Sequence, residues 1–343
     1  MMRRFYALFC LMVAAISMYG FTVDGLVYTE DSYYGGVQVV TLVDKSFNGE
    51  LVIPEIVTYN GVTYPVTSIF LEAFKDCIGI TSAHIGNNVS EIDQSAFYGC
   101  TALSSVSLPE SVTSIHINAF AGCSKLESFT IPSSISFVGD GAFKNTAWYN
   151  NQPDGLLYKD NILLGYKGSK PQGHLEIENG TIMVAGNAFG RCGEISSVSI
   201  PNTVKHICYQ AFWITGLKEV TIPQSVISIG DRAFADCYSL RSVFSHITEP
   251  FAIKGIASGS FERVFEYEGQ TLYVPAGTKA KYEATDGWKD FRNIVEMEND
   301  PSGVASVFTE EDGHGVIYNF SGQRFTTPHR GLNIIGGKKI VVR

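Results

Sequence analysis

At 343 residues the chain has the length of two ordinary domains or of one elongated repeat array. Its composition, 45% hydrophobic and 17% charged, excludes a disordered chain, and 34 glycines without a triplet period exclude a collagen-like one. A formal charge of −9 argues against nucleic-acid binding, which needs a positive face, and names no other partner.

Residues 1–20 have the layout of a secretory leader: Arg3 and Arg4, an apolar run over 5–16, and the small-x-small site Ala15-Ile16-Ser17. The run falls short of the ~20 residues a bilayer span needs, so no membrane anchor is predicted. Cys10 lies inside it and is a poor lipidation site, and no later segment is long and apolar enough to cross a membrane. Residues 21–65 read as a β-rich N-terminal cap in which Tyr59-Asn60-Gly61-Val62 forms a hairpin turn.

An internal repeat dominates residues 66–247. Ala-Phe pairs end at Phe74, Phe97, Phe120, Phe143, Phe189, Phe212 and Phe234, in steps of 23, 23, 23, 46, 23 and 22. Twelve residues before the Phe stands an apolar residue, followed by proline at Leu108, Ile131, Ile200 and Ile222, and by Gly86 or Glu178 after Ile85 and Ile177. Further apolar columns run through Val112 and Ile115, Val204 and Ile207, and Val226 and Ile229. Apolar columns held in register through this many units predict a β-rich solenoid of ~23-residue coils, with the phenylalanines as its inner spine.

Each unit follows from its spacings. Val106-x-Leu108 and its counterparts alternate with Ser, Thr or Glu, which suits a short strand half buried on one face. Proline ends that strand because it has no amide to donate. The Ala-Phe pair predicts a single helical or 3₁₀ turn. Asn118, Asp140, Asn187 and Asp231 lie before it as capping residues, and Asp76, Gly99, Gly122, Asn145 and Asp236 close it in the left-handed region. The unit between Phe143 and Phe189 is degenerate over 147–176, where Asp154-Gly155 predicts a tight turn and a small hairpin interrupts the stack.

The pattern L-x-x-V-x-I-P, V-x-x-I, A-F-x-G-C resembles the BspA-like leucine-rich repeats of bacterial surface proteins over residues 52–243. The segment Thr271-Leu-Tyr-Val-Pro275, with Tyr282, Trp288 and Ile294, is similar to the unit that closes such arrays, which makes 248–298 the expected C-terminal cap.

Chemistry is sparse. Of seven cysteines, Cys77, Cys100, Cys123, Cys192 and Cys237 lie three after the repeat Phe, with Thr146 and Thr215 filling that slot elsewhere. A column at this register points inward, so buried free thiols are expected, although coils ~4.8 Å apart leave disulfides within reach. Cys208 stands outside the column and is the thiol to test for reactivity. The histidines, among them His84, His116 and His206, occupy different repeat positions and share no predicted face. No C-x-x-C pair, H-E-x-x-H, G-x-S-x-G or phosphate-cradling loop occurs, so no catalytic, cofactor or metal residue is assigned and a non-enzymatic scaffold is expected.

A binding role falls to outward strand positions. Ser105, Ser107, Ser128, Thr130, Ser197, Ser199, Glu219 and Thr221 offer either a solvated cross-strand ladder or a flat, uncharged docking face for an extracellular protein or glycan. Trp148, Tyr149 and Tyr166 have the rings to stack on sugars, or to pack the degenerate coil.

Residues 299–343 form a small β tail. Ile317-Tyr-Asn-Phe-Ser-Gly-Gln-Arg324 and Gly331-Leu-Asn-Ile-Ile-Gly-Gly-Lys-Lys-Ile340 resemble the C-terminal sorting domains of type IX secretion in exported Bacteroidetes proteins, with Asn333 where those signals often carry an aromatic. The two resemblances together imply an exported, adhesin-like surface protein; a glycan-capturing envelope scaffold and a secreted enzyme are the alternatives.

Overall fold

The computed structural model describes residues 20–253 and 271–297 in full, and in the tail the backbone of four strands. The leader expected over 1–20 lies outside the described residues except for Gly20. The chain winds into a β-solenoid of about nine turns.

The winding starts from a strand meander. β1 (Phe21–Val23), β2 (Leu26–Asp31) and β3 (Gly36–Leu42) pair antiparallel. β4 (Gly49–Ile53) follows, then the hairpin of β5 (Ile56–Tyr59) and β6 (Val62–Ile69), whose turn is Asn60-Gly61. Both turn residues have positive φ, 50° and 77°, the geometry that matches the twist of paired strands. β3 then accepts β6 in parallel, and the direction of pairing is set for the coils.

Each coil has three sides. One carries strands of three to six residues: β7 (Ile80–Ile85) lies between β4 and β9 (Ser105–Ser107), all parallel. The second carries two-residue strands, β8 (Glu91–Ile92), β10 (Ser114–Ile115) and β11 (Phe137–Val138), which continue the sheet begun by β6.

The third side is the Ala-Phe corner. It contains single i→i−3 turns, such as Ala96 N to Asp93 O and Cys100 N to Phe97 O, that do not continue into helix. Between them, alternate amides donate to the next coil: Glu72 to Gln94, Phe74 to Ala96 and Asp76 to Tyr98. Facing the next coil at every second residue requires left-handed backbone two before and two after the Phe. Glu72, Ser95, Asn118, Asn187, Gln210 and Arg232 hold the first position at φ of 53–57°. Asp76, Asn145, Arg191, Ile214 and Asp236, with Gly99 and Gly122, hold the second. Asn118 and Asn187 are therefore placed as left-handed residues and not as caps, and the Asp140 carboxylate accepts from the Asn187 side-chain amide at 3.0 Å.

The phenylalanines stack, but as two columns. Ring centroids lie 5.1, 5.1 and 5.5 Å apart from Phe74 to Phe143, and 5.5 and 5.3 Å apart from Phe189 to Phe234. Between the columns sit helix α1 (Ala147–Asn151) and the hairpin of β12 (Gly155–Lys159) and β13 (Ile162–Lys167). The hairpin is where it was expected, but its turn is Asp160-Asn161, both at positive φ, and Asp154-Gly155 merely leads into β12. The Asp160 carboxylate accepts from the Ile131 amide at 2.9 Å and so caps a coil that has no strand above it.

Beyond the insert the coils resume. β14 (Gly173–Glu176) pairs with β16 (Ile195–Ser199), while β15 (Met183–Val184), β17 (His206–Ile207) and β19 (Ser228–Ile229) extend from β13. β18 (Glu219–Ile222), β20 (Ser242–Ser245), β21 (Thr271–Val274) and β22 (Ile294–Glu296) form the last long-strand sheet, with α2 (Lys279–Glu283) between the final two. Tyr282 and Trp288 are fully buried there; the Tyr282 hydroxyl donates to Ile247 O and the Trp288 indole to Phe251 O. In the tail, β23 (Ile317–Tyr318), β24 (Arg324–Phe325), β25 (Gly331–Ile335) and β26 (Lys338–Val342) make an antiparallel sheet.

The interior divides accordingly into two apolar clusters. Within β13, Ile162 belongs to the first and Leu163 to the second, because successive side chains of a strand face opposite ways. Met183 and Val184 of β15 divide in the same manner. The outer face of β15 and the residues beside it is thus covered by the first stack, where Gly186 N donates to Val138 O. No helix among the described residues is long and apolar enough to cross a membrane.

Candidate binding surfaces

The long-strand side brings the outward polar residues into register. Glu50, Ser82, Ser105 and Ser128 form one row, and Val52, His84 and Ser107 the next. Ser105, Ser107, Ser128 and Thr130 are exposed, as are Glu219 and Thr221 beyond the insert. Ser197 and Ser199 are half-buried and engaged: Ser197 Oγ lies 2.8 Å from His174 Nδ1, and His174 Nε2 is 3.1 Å from both Ser199 Oγ and Glu176 Oε2. The insert therefore splits the predicted face into two patches. Past Thr221 its row continues through Phe244 and Tyr273, stacked at 4.7 Å, an aromatic pair that no repeat column announces.

The three aromatics singled out in the degenerate coil all lie half-buried at the insert. Trp148 meets Phe129 edge-on at 5.7 Å, and Phe129 stacks on Phe143 at 4.3 Å. Tyr166 lies parallel to Phe189 at 6.5 Å, and burial raises its phenol to about 12. Tyr149 carries Lys167 Nζ over its ring at 5.7 Å.

The six described cysteines are free and buried. In the repeat column the thiols donate to the carbonyl of the preceding coil's Phe, Cys100 to Phe74 at 3.0 Å and Cys123 to Phe97 at 3.1 Å. Burial pushes the Cys123 thiol up to about 12 and raises those of Cys77, Cys100, Cys192 and Cys237 as well. Cys208, singled out as the thiol to test because it stands outside the column, is buried too, and burial pushes its thiol to about 12. Its slot, four before the Phe, faces outward in open coils. Here the first stack lies over it, with Ser136 O 4.0 Å from its sulfur.

The short-strand side holds a groove that the repeat pattern does not reveal. The β2–β3 turn, Ser32-Tyr33-Tyr34-Gly35, overhangs the outward side chains of β8, β10 and β11. Asp31 fixes this turn: its carboxylate accepts from the Tyr33 and Tyr34 amides at 3.1 Å, from Thr67 Oγ1 at 2.9 Å and from Ser68 Oγ at 2.7 Å. Burial alone would push the Asp31 carboxyl up, but these hydrogen bonds to its charged form hold it below the usual value. Tyr33 is 85% exposed and meets Tyr34 edge-on at 4.7 Å.

Opposite the turn, His116 Nε2 lies 2.5 Å from Glu91 Oε1, and the His116 ring packs on Phe137 at 5.2 Å. The hydrogen bond from His116, helped by one from the Tyr34 hydroxyl, holds the Glu91 carboxyl below its ordinary range against the effect of burial. Asp93 completes a half-buried trio whose donor atoms lie within 4.8 Å of one another, so that residues the sequence leaves on unrelated positions share one site. The groove consists of two adjoining depressions of about 210 and 360 Å³ that share Tyr33, Tyr34 and Glu91.

Comparisons with known proteins agree with the repeat geometry. No curated protein matches the chain. A leucine-rich repeat protein from Bacteroides ovatus is 21% identical with a TM-score of 0.39, the match covering 81% of this chain and 77% of that one. A leucine rich cell surface protein from Faecalibacterium prausnitzii is 20% identical with a TM-score of 0.36, covering 81% and 72%. The pneumococcal vaccine antigen PcpA is 18% identical with a TM-score of 0.32, covering 81% and 98%. The BspA type leucine rich repeat region matches in six copies over residues 39–151 and 166–271, nearly two thirds of the chain. With that coverage, and with its coils stacked on the buried Phe columns, the chain belongs to the BspA type leucine rich repeat family.

Proposed function

We propose that this protein is a non-enzymatic, exported surface protein that binds an extracellular macromolecule, in the manner of an adhesin. The observation that carries the reading is the division of labour within each coil. Apolar columns are spent on stacking, while short uncharged side chains, Ser105 and Ser107 on one coil and Ser128 and Thr130 on the next, stay exposed. A rigid, repeated surface of this kind suits binding because little entropy is lost when a partner docks on it. Export draws its support from the leader-like residues 1–20 and from the likeness of the tail to sorting domains. The expected cap boundaries, 21–65 and 248–298, frame the same array.

The test is capture by the immobilised mature protein from a panel of matrix proteins, mucins and glycans. Saturable binding of at least one member supports the reading, and silence across the panel by correctly folded protein overturns it. A second reading, glycan capture, is favoured by the gathering of Trp148, Tyr149 and Tyr166 at one insert. It requires Trp148→Ala or Tyr166→Ala to weaken polysaccharide retention.

A further inference from the structure

We propose that the groove between the Tyr33-Tyr34 turn and the short strands is a receptor for an arginine side chain on an extended segment of the partner protein. This rests on the binding reading above and names the chemistry of the partner at one place.

The argument begins with charge. Among the described residues the groove is lined by Asp31, Glu91, Asp93 and His116, and by no lysine or arginine. Asp31 is consumed in holding the turn by four donors. Glu91 accepts from His116 and Tyr34 and Asp93 from the Gln94 amide, and each of these two carboxylates keeps acceptor capacity for a further donor, so they form the anionic floor. Glu91 stays ionised because hydrogen bonds from His116 and Tyr34 favour its charged form. A cation of the partner is the complement of such a floor. Shape then selects among cations. Tyr33 stands almost wholly exposed at the rim, and Phe137 lies at the far side against His116. A planar guanidinium stacks on aromatic faces while its five N–H donors engage carboxylates, whereas an ammonium supplies only a hydrated point charge. The groove runs along Glu91, Ser114 and Phe137, which are register partners on three successive coils. At ~4.8 Å per coil this is longer than one side chain, as a segment of backbone in transit requires.

The turn is built to remain in place when empty. Two amides of the turn itself and two hydroxyls of β6 converge on Asp31, so Tyr33 is presented without a partner to order it. An exposed tyrosine held this way costs a ligand little entropy on docking.

The test uses the full mature chain and a fluorescein-labelled Gly-Arg-Gly-Arg-Gly peptide, read by anisotropy, with the citrulline peptide as its uncharged isostere. Arginine should bind roughly tenfold more tightly than citrulline, and Tyr33→Ala and Glu91→Gln should each weaken the arginine peptide by about tenfold. Glu194→Gln removes the same charge from an exposed position in the second stack, and should leave affinity unchanged. An equal loss in E194Q overturns the proposal, because net charge alone then explains binding. Zinc binding that His116→Ala abolishes, with no preference for arginine over citrulline, also overturns it and makes the trio a metal site. Panel capture separates this proposal from the broader one. A partner captured equally by wild type and Y33A defeats the groove and leaves the surface-binding reading standing, while capture of nothing defeats that reading whatever the peptide does.

Discussion

Phe120 lies fully buried between Phe97 and Phe143, its ring parallel to both within 7°. Truncation to alanine leaves a void that two flanking rings held by their own coils cannot fill, and should cost about 3–5 kcal/mol in urea unfolding. A loss below about 1 kcal/mol would place the ring outside the core. The corner imposes a different constraint at Ile214, a β-branched residue at φ 53° in a slot held elsewhere by Gly, Asn, Asp or the unbranched Arg191. Ile214→Asn should raise stability by roughly 1 kcal/mol, because asparagine tolerates the left-handed region and isoleucine does not. Asp31 connects residue chemistry to pH. Its folded pKa is depressed, so its contribution is complete above the unfolded value near 4 and is lost as pH falls through the folded value. Asp31→Asn should therefore cost roughly 2 kcal/mol at pH 7, and the gap from wild type should narrow progressively as pH falls below about 4. A gap that stays constant as the solution is acidified below about pH 4 would assign the loss to packing instead.

At the scale of elements, the hairpin of β12 and β13 shows what periodicity conveys and what it omits. The 46-residue step between Phe143 and Phe189 announced an interruption and Asp154-Gly155 suggested its turn, yet the chain reverses at Asp160-Asn161. Aspartate and asparagine both tolerate left-handed backbone, so two turn signals lay six residues apart and local chemistry could not rank them. The decision comes from a distant contact, the Asp160 carboxylate on the Ile131 amide. Asp160→Ala should cost about 1–3 kcal/mol by leaving that amide without its acceptor, measured by chemical denaturation. A neutral result would mean that the hairpin is positioned by β13 and β15 alone. Columns such as the inward thiols and the left-handed residues after the Phe were legible for the opposite reason: each repeats at 23 residues, and agreement among coils replaces the missing structure. The groove had no such redundancy. Tyr33 and Tyr34 precede the array, and they meet Glu91 and His116 only because the β2–β3 turn leans across the coils.

At the scale of the molecule, two clusters meet across β13 and β15. Repeat arrays are stable through neighbour contacts, so a change in one coil should be felt mainly by the stack that contains it. Hydrogen exchange offers the measurement: Phe120→Ala should reduce protection chiefly in the first stack and Phe212→Ala chiefly in the second. Equal loss throughout in both variants would show that β13 couples the stacks into one cooperative unit.

The sulfur column carries a last consequence. Coils separated by one strand spacing bring thiols within bonding reach, yet Cys100, Cys123 and Cys237 direct their protons at a carbonyl of the coil before. Among the described coils rigidity comes from geometry without covalent staples, so this skeleton is indifferent to whether its surroundings are reducing or oxidising.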